Sequence, residues 1–211
     1  MSHPRSNPHL SPLLRSRNRA ISDLLSLARR DQPRHLVEFY ESDSQLLANV
    51  ALIAARVLAS NDAVVLVMTA EHLAAVNQLL AAGRVDPARL EQSRRLITID
   101  ADQVLSSFAD GSGIDARKFG DTFDAILAEA SRTSGSGFVF TFGEVVDRLC
   151  AAGRSQVALE LEQLWNQATR RYRLSLYCAY SFKHVAATAD AQTLVRICAE
   201  HSLTLPPELV L

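Results

Sequence analysis

Residues 63–69 read Ala-Val-Val-Leu-Val-Met-Thr, and this run decides the fold. It is apolar without interruption and rich in β-branched side chains. A strand with one wet face alternates polar and apolar residues, whereas a strand buried on both faces reads as a continuous apolar run. Helices must then cover both faces of the sheet. Working back from this run, Ser42 opens a predicted helix through Leu58, with Ser42 and Gln45 at capping-box spacing. Before it, HLVEFY (35–40) is a short strand. Working forward, a helix over 71–82 ends at Gly83, and RLITID (95–100) is the next strand. Helices follow over 102–108 and 116–132, and TSGSG (133–137) turns into a strand over 138–142. Helices over 144–152 and 155–171 break at Gly153. LSLYCAY (174–180) is the last clear strand, and 190–201 is the last helix.

This alternation predicts an α/β domain with a mainly parallel sheet and helices on both faces. Right-handed crossovers put ligand-binding groups at the carboxyl ends of the strands. Those ends are Tyr40-Glu41, Thr69-Ala70, Asp100-Ala101, Gly143-Glu144 and Tyr180-Ser181.

With 211 residues, 48% of them hydrophobic, the chain can bury a core that needs no disulfide or structural metal. Cys150, Cys178 and Cys198 form no CxxC pair and sit in apolar runs, as buried thiols of a reducing compartment do. No apolar run approaches the roughly 18 residues of a membrane span. No signal-peptide pattern opens the chain, so a cytoplasmic location is expected. A net charge of -1 gives no reason to expect direct nucleic-acid binding. The charge is uneven, however. Residues 1–34 carry seven arginines and two acids, net +5, which leaves -6 for residues 35–211.

Residues 1–34 therefore read as a separate piece. A disordered tail comes first. A basic amphipathic helix follows over about 12–30, with Leu14, Ile21, Leu24, Leu25 and Ala28 on one stripe. Such a helix docks on its own domain, on a twin subunit in a homodimer, on a partner or on anionic lipid. An organelle presequence is also Arg-rich and acid-poor.

Nucleotide-hydrolysis chemistry is missing from the motifs. A phosphate loop needs glycines between a strand and a helix, followed by Lys and Ser or Thr. After the first strand the chain has FYESDSQL (39–46), without glycine or lysine and with Glu41 and Asp43 at the turn. TSGSG precedes a strand, and Gly111–Gly113 joins two helices, so neither glycine-rich segment is correctly placed. No GxSxG or HExxH occurs. Cys178 and His184 lack a third metal ligand in their segment. Neither a cofactor nor a metal is expected.

His35 and Tyr40 flank the first strand, where a ligand could hydrogen-bond, though a histidine opening a strand is often a satisfied structural group. Phe39 and Tyr40 must face opposite sides. Glu144 follows a strand and is either a site carboxylate or, with Thr141, part of a capping box. Asp100 is better read as a helix cap than as an acid that holds magnesium. Trp165 neighbours Glu162 on one helix and either lines an apolar pocket or packs in the core. Tyr180 ends the last strand within reach of the rim that Tyr40 and Glu144 share. His201 near a helix C-terminus suits the helix dipole.

Four segments carry a family resemblance: HLVEFYES (35–42), FGEVVDRL (142–149), ALELEQLWN (158–166) and LYCAY (176–180). Their order and spacing resemble the MEDS family, the sensory domains of methanogen and methylotroph regulators, over about residues 35–206. The resemblance implies a core related to the RecA/KaiC-like ATPases that has lost its phosphate loop (Walker A). It also implies a sensor for small, often hydrocarbon-like molecules in transcriptional or two-component regulation. The segment before residue 35 is too short for a DNA-binding domain and no kinase follows, so a stand-alone sensor acting through another protein is expected.

The leading expectation is a non-enzymatic module. It binds a small molecule at the carboxyl-end rim, lined by His35, Tyr40, Glu144, Tyr180 and Trp165, and relays this to a regulatory partner. The alternative is a pseudo-ATPase scaffold that binds its partner through the N-terminal helix. A residual enzyme using Glu144 and Asp100 is the third reading.

Overall fold

The computed structural model describes residues 25–28, 31–111 and 113–205. The elements run, in chain order, β1 (His35–Tyr40), α1 (Asp43–Ala59), β2 (Ala63–Met68), α2 (Ala70–Ala82), α3 (Pro87–Gln92), β3 (Leu96–Asp100) and α4 (Ala101–Phe108). Then come β4 (Ala109–Asp110), β5 (Gly113–Ile114), α5 (Ala116–Thr133), β6 (Phe138–Gly143), α6 (Val145–Ala151) and α7 (Ser155–Arg171). β7 (Arg173–Ser181), α8 (Phe182–Thr188), α9 (Ala191–Ala199) and β8 (Leu203–Leu205) complete the order.

Six strands form one sheet in the order β3-β2-β6-β7-β1-β8, and every pairing in it is parallel. β2 lies inside the sheet, and all six of its residues are buried, as its unbroken apolar run requires. Successive side chains go to opposite faces. Val65 and Val67 enter one core with α4, α5, α6, α7, α8 and α9. Val64, Leu66 and Met68 enter the other with α1 and α2. Phe39 and Tyr40 likewise divide between the two cores.

The helices that follow β1 and β2 thus cover one face, and those that follow β3, β6 and β7 cover the other. Neighbouring strands whose connections leave to opposite faces mark a switch point. Three occur here: one at the edge pair β3–β2 and two further inside the sheet, between β2 and β6 and between β7 and β1.

The elements predicted from residue 35 onward are all present, with ends shifted by at most two residues. Five short ones were not anticipated. α3 has Asp86 as N-cap and Pro87 at its start but buries no residue, so it shows no apolar period. Between the two helices, Gly113 opens β5, which pairs antiparallel with β4. α8 spans only two turns, and β8 adds three residues to the edge of β1. Two expected capping boxes do not form. Ser42 stands at the N-cap of α1, but its hydroxyl pairs with that of Ser44 at 2.9 Å. Thr141 lies inside β6 with its hydroxyl buried and unpartnered.

TSGSG is structural. A Cβ on Gly135 would stand 2.6 Å from Asn61 Nδ2 and 3.0 Å from its carbonyl oxygen. Ser134 and Ser136 donate to Asp62 Oδ1 at 3.0 and 2.7 Å, closing the bracket. Of the expected N-terminal helix, residues 25–28 are described, and Leu27 is fully buried in the core shared with α1 and α2. This stretch docks on its own domain. The tail and the rest of that helix lie outside the described residues.

Candidate functional site

The carboxyl ends of the strands hold two different arrangements, one at each of the two inner switch points. Between β2 and β6, Glu144 closes the gap. It follows β6 directly and is 2% exposed. One carboxylate oxygen accepts from the backbone N–H of Thr69, the N-cap of α2, and the other accepts from His72 Nδ1 at 2.7 Å. A carboxylate against a helix N-terminus is favourable. The hydrogen bond from Glu144 raises the pKa of His72 above the ordinary histidine value, against burial, which lowers it. Glu144 is therefore a plug between α2 and β6, with its oxygens already engaged.

Between β7 and β1 the gap stays open as a cleft of about 490 Å³. Tyr40, Glu41 and Asp43 line one side, and Phe182, Lys183 and His184 line the other. Beneath them lies Asp147 of α6, 5% exposed. Its Oδ1 accepts from the Ser181 N–H at 2.8 Å, and His184 Nδ1 lies 3.0 Å from both carboxylate oxygens. The Tyr40 hydroxyl reaches Oδ2 at 3.4 Å. Burial, and next the charge of Asp147, push the Tyr40 phenol well above its ordinary pKa, so it stays a donor. β1, α6, β7 and α8 thus meet at one carboxylate.

A second polar cluster lies on the face covered by α7 and α9. Glu162, fully buried in α7, accepts from Tyr180 at 2.8 Å and from Cys178 at 3.2 Å. His35 Nε2 and His201 Nε2 lie 3.3 and 3.4 Å from Glu162 Oε2. Burial alone would push the Glu162 carboxyl up, but His201 and then His35 outweigh it and hold it well below the usual range. Burial, and then Glu162, push the Cys178 thiol and the Tyr180 phenol well above theirs. A cleft of about 410 Å³ reaches this cluster at His35 and His201. A larger depression, about 570 Å³, lies away from both of these arrangements, against Arg84, Arg89 and Arg95.

The residues expected to share one rim are separated. β1 advances about 3.3 Å per residue, so His35 and Tyr40 stand roughly 16 Å apart at its two ends. Tyr180 pairs with Phe39, not Tyr40, in the parallel register, and so faces the opposite side of the sheet. Trp165 packs edge-on to Phe119 at 5.2 Å and against Phe123 at 4.5 Å, a core position. Tyr40 alone of the five lines the cleft between β7 and β1. Asp100 caps α4 by accepting from Gln103 N at 2.8 Å, as expected. Cys178 and His184 go to different acids, Glu162 and Asp147.

Asp147 and the pairing of His201 with His35 were not singled out, Glu162 entered only as the neighbour of Trp165, and His184 entered only beside Cys178. A signal existed for both acids. Asp147 sits among buried Val145, Val146, Leu149 and Cys150, and Glu162 sits on the buried stripe of Ala158, Leu161 and Trp165. An acid on an apolar stripe must find partners. The identity of those partners is a tertiary fact.

A family model described as "MEDS: MEthanogen/methylotroph, DcmR Sensory domain" matches residues 34–202. No curated protein matches the chain.

Proposed function

The chain belongs to the MEDS family of sensory domains, and from that premise we propose that it senses a small polar molecule in the cleft between the carboxyl ends of β7 and β1. The observation that carries this reading is the meeting of Tyr40, Ser181 and His184 on buried Asp147 at a switch point. Open α/β sheets bind ligands at that place. Glu41 and Asp43 at the mouth favour a ligand with a cationic or hydrogen-bond-donating group. They disfavour a phosphate or a plain hydrocarbon.

A ligand group that bonds Asp147 or His184 competes with the bond that ties α8 to α6. Binding would then shift the population of α8 positions. α8 begins with Phe182, which is 43% exposed, beside Lys183, so such a shift changes a surface that a regulatory protein can read. No step of this scheme is catalytic. Among the described residues no helix is long and apolar enough to cross a membrane.

The test is a native mass spectrum of the full chain purified gently from its source, before and after denaturation, for the wild type and for Asp147→Asn. The reading expects a small adduct that denaturation releases and that the variant carries in lower yield. An adduct held equally by both proteins counts against the cleft.

A further inference from the structure

We propose that His35, Glu162, Cys178 and His201 form a binding site for one divalent transition-metal ion of the zinc class. The site lies on the α7 side of the sheet and is independent of the cleft at the carboxyl ends of β7 and β1. One ligand atom from each of the four residues lies within 4.8 Å of the other three. The closer pairs are tighter. Glu162 Oε2 is 3.2 Å from Cys178 Sγ, 3.3 Å from His35 Nε2 and 3.4 Å from His201 Nε2, and His35 Nε2 is 3.5 Å from Cys178 Sγ. Metal–ligand bonds of about 2.0–2.3 Å in a tetrahedron put ligand atoms roughly 3.3–3.8 Å apart. The side chains already stand near those edges.

Hydrogen-bond accounting points the same way. Asn166 donates its amide to Glu200 at 2.8 and 2.9 Å, which turns its Oδ1 toward His35. His35 Nδ1 therefore donates to that oxygen, at 2.9 Å. His201 Nδ1 donates to the Ile197 carbonyl at 2.7 Å. A carbonyl partner on Nδ1 fixes the tautomer and leaves Nε2 as the ligand atom. Both Nε2 atoms then face the same carboxylate oxygen, so each contact needs a proton or a metal ion between its two atoms, and buried His201 Nε2 makes no well-formed hydrogen bond. A proton relieves one such contact at a time. One cation at the centre satisfies all four groups together.

The outer shell is also in place. Tyr180 donates to the other Glu162 oxygen, and Glu200 holds Asn166. The cleft at His35 and His201 provides an entry path. Two imidazoles, a thiolate and a carboxylate favour zinc over magnesium or calcium. On coordination the Cys178 thiol proton leaves to solvent. The four ligands come from β1, α7, β7 and the turn between α9 and β8, so the ion would fasten the last strand to the body of the domain.

The test uses the full chain, freed of metal by a chelator and titrated with cobalt(II) alone. The proposal expects one equivalent bound, with the visible absorption of a tetrahedral cobalt site and a thiolate-to-cobalt band in the near ultraviolet. Zinc should displace the cobalt. Cys178→Ser, checked for fold by circular dichroism, should lose the thiolate band. Asn166→Ala, which orients His35 without touching the ion, should weaken zinc binding by about 10- to 100-fold. A spectrum of hydrated cobalt only, with the wild type, overturns the proposal, and that result does not depend on any variant folding. A thiolate band that survives in Cys178→Ser overturns it equally, because the ligand is then another cysteine.

Discussion

Asp147 holds His184 at 3.0 Å through both carboxylate oxygens, so the helix that lines one side of the cleft is tied to the helix beneath it by a single buried acid. The same acid accepts from the Ser181 backbone at 2.8 Å, where β7 ends. The tie is local to the switch point and does not depend on Glu144, which is committed to α2.

Replacing Asp147 leaves the Ser181 N–H without its acceptor and His184 without its partner. Asp147→Ala should cost about 2 kcal/mol of stability, the scale of hydrogen bonds to a charged group. His184→Ala should cost less, because its side chain is 32% exposed. Urea unfolding of both variants checks the order. Equal losses would mean that Asp147 is held in some other way.

His72 gives a pH-dependent contribution. Its folded-state pKa is raised by Glu144, so its stabilisation is complete below the ordinary histidine value and fades as pH rises through the raised one. Unfolding free energies measured from pH 6 to 9 should fall less steeply for His72→Gln than for the wild type. An unchanged slope in the variant would remove His72 as the source.

Glu38 works in a lower window. Burial pushes its carboxyl up to about 7, against a lowering hydrogen bond from Asn49. The Tyr177 hydroxyl also donates to it. The folded state thus favours the protonated acid, and stability should decline by about 3 kcal/mol as pH rises from about 4.5 through 7. Glu38→Gln should remove that decline and be the more stable protein at pH 8. A wild type whose stability rises over the same range contradicts this.

Much of the fold is legible in the sequence because burial on both faces writes itself as an unbroken apolar run, as at Ala63–Met68. The site is less legible. Tyr40 could be placed at a strand end, but whether Tyr180 shares its face depends on the register between β1 and β7, which no single segment encodes. One residue of offset sends Tyr180 to Glu162 instead. His35 was misplaced for a simpler reason: a six-residue strand has two ends. β8 and α8 were missed because three and seven residues carry too little periodicity to stand out.

Trp165 distinguishes core from pocket. Packed on Phe119 and Phe123, it should cost about 3–5 kcal/mol when cut to alanine. Its fluorescence should be that of a buried indole and stay constant when small molecules enter the cleft. Quenching by a bound ligand would return Trp165 to the site.

The central claim is that the cleft between β7 and β1 receives the signal. The most direct measurement is the two-dimensional amide spectrum of the full chain, titrated with a panel of small amines and alcohols. The account predicts that the first amides to move are those of Glu41, Ser181, Phe182 and His184, and that Asp147→Asn suppresses the shifts. Shifts that begin instead around Asn166 and Ser202, at the opposite end of β1, would contradict it.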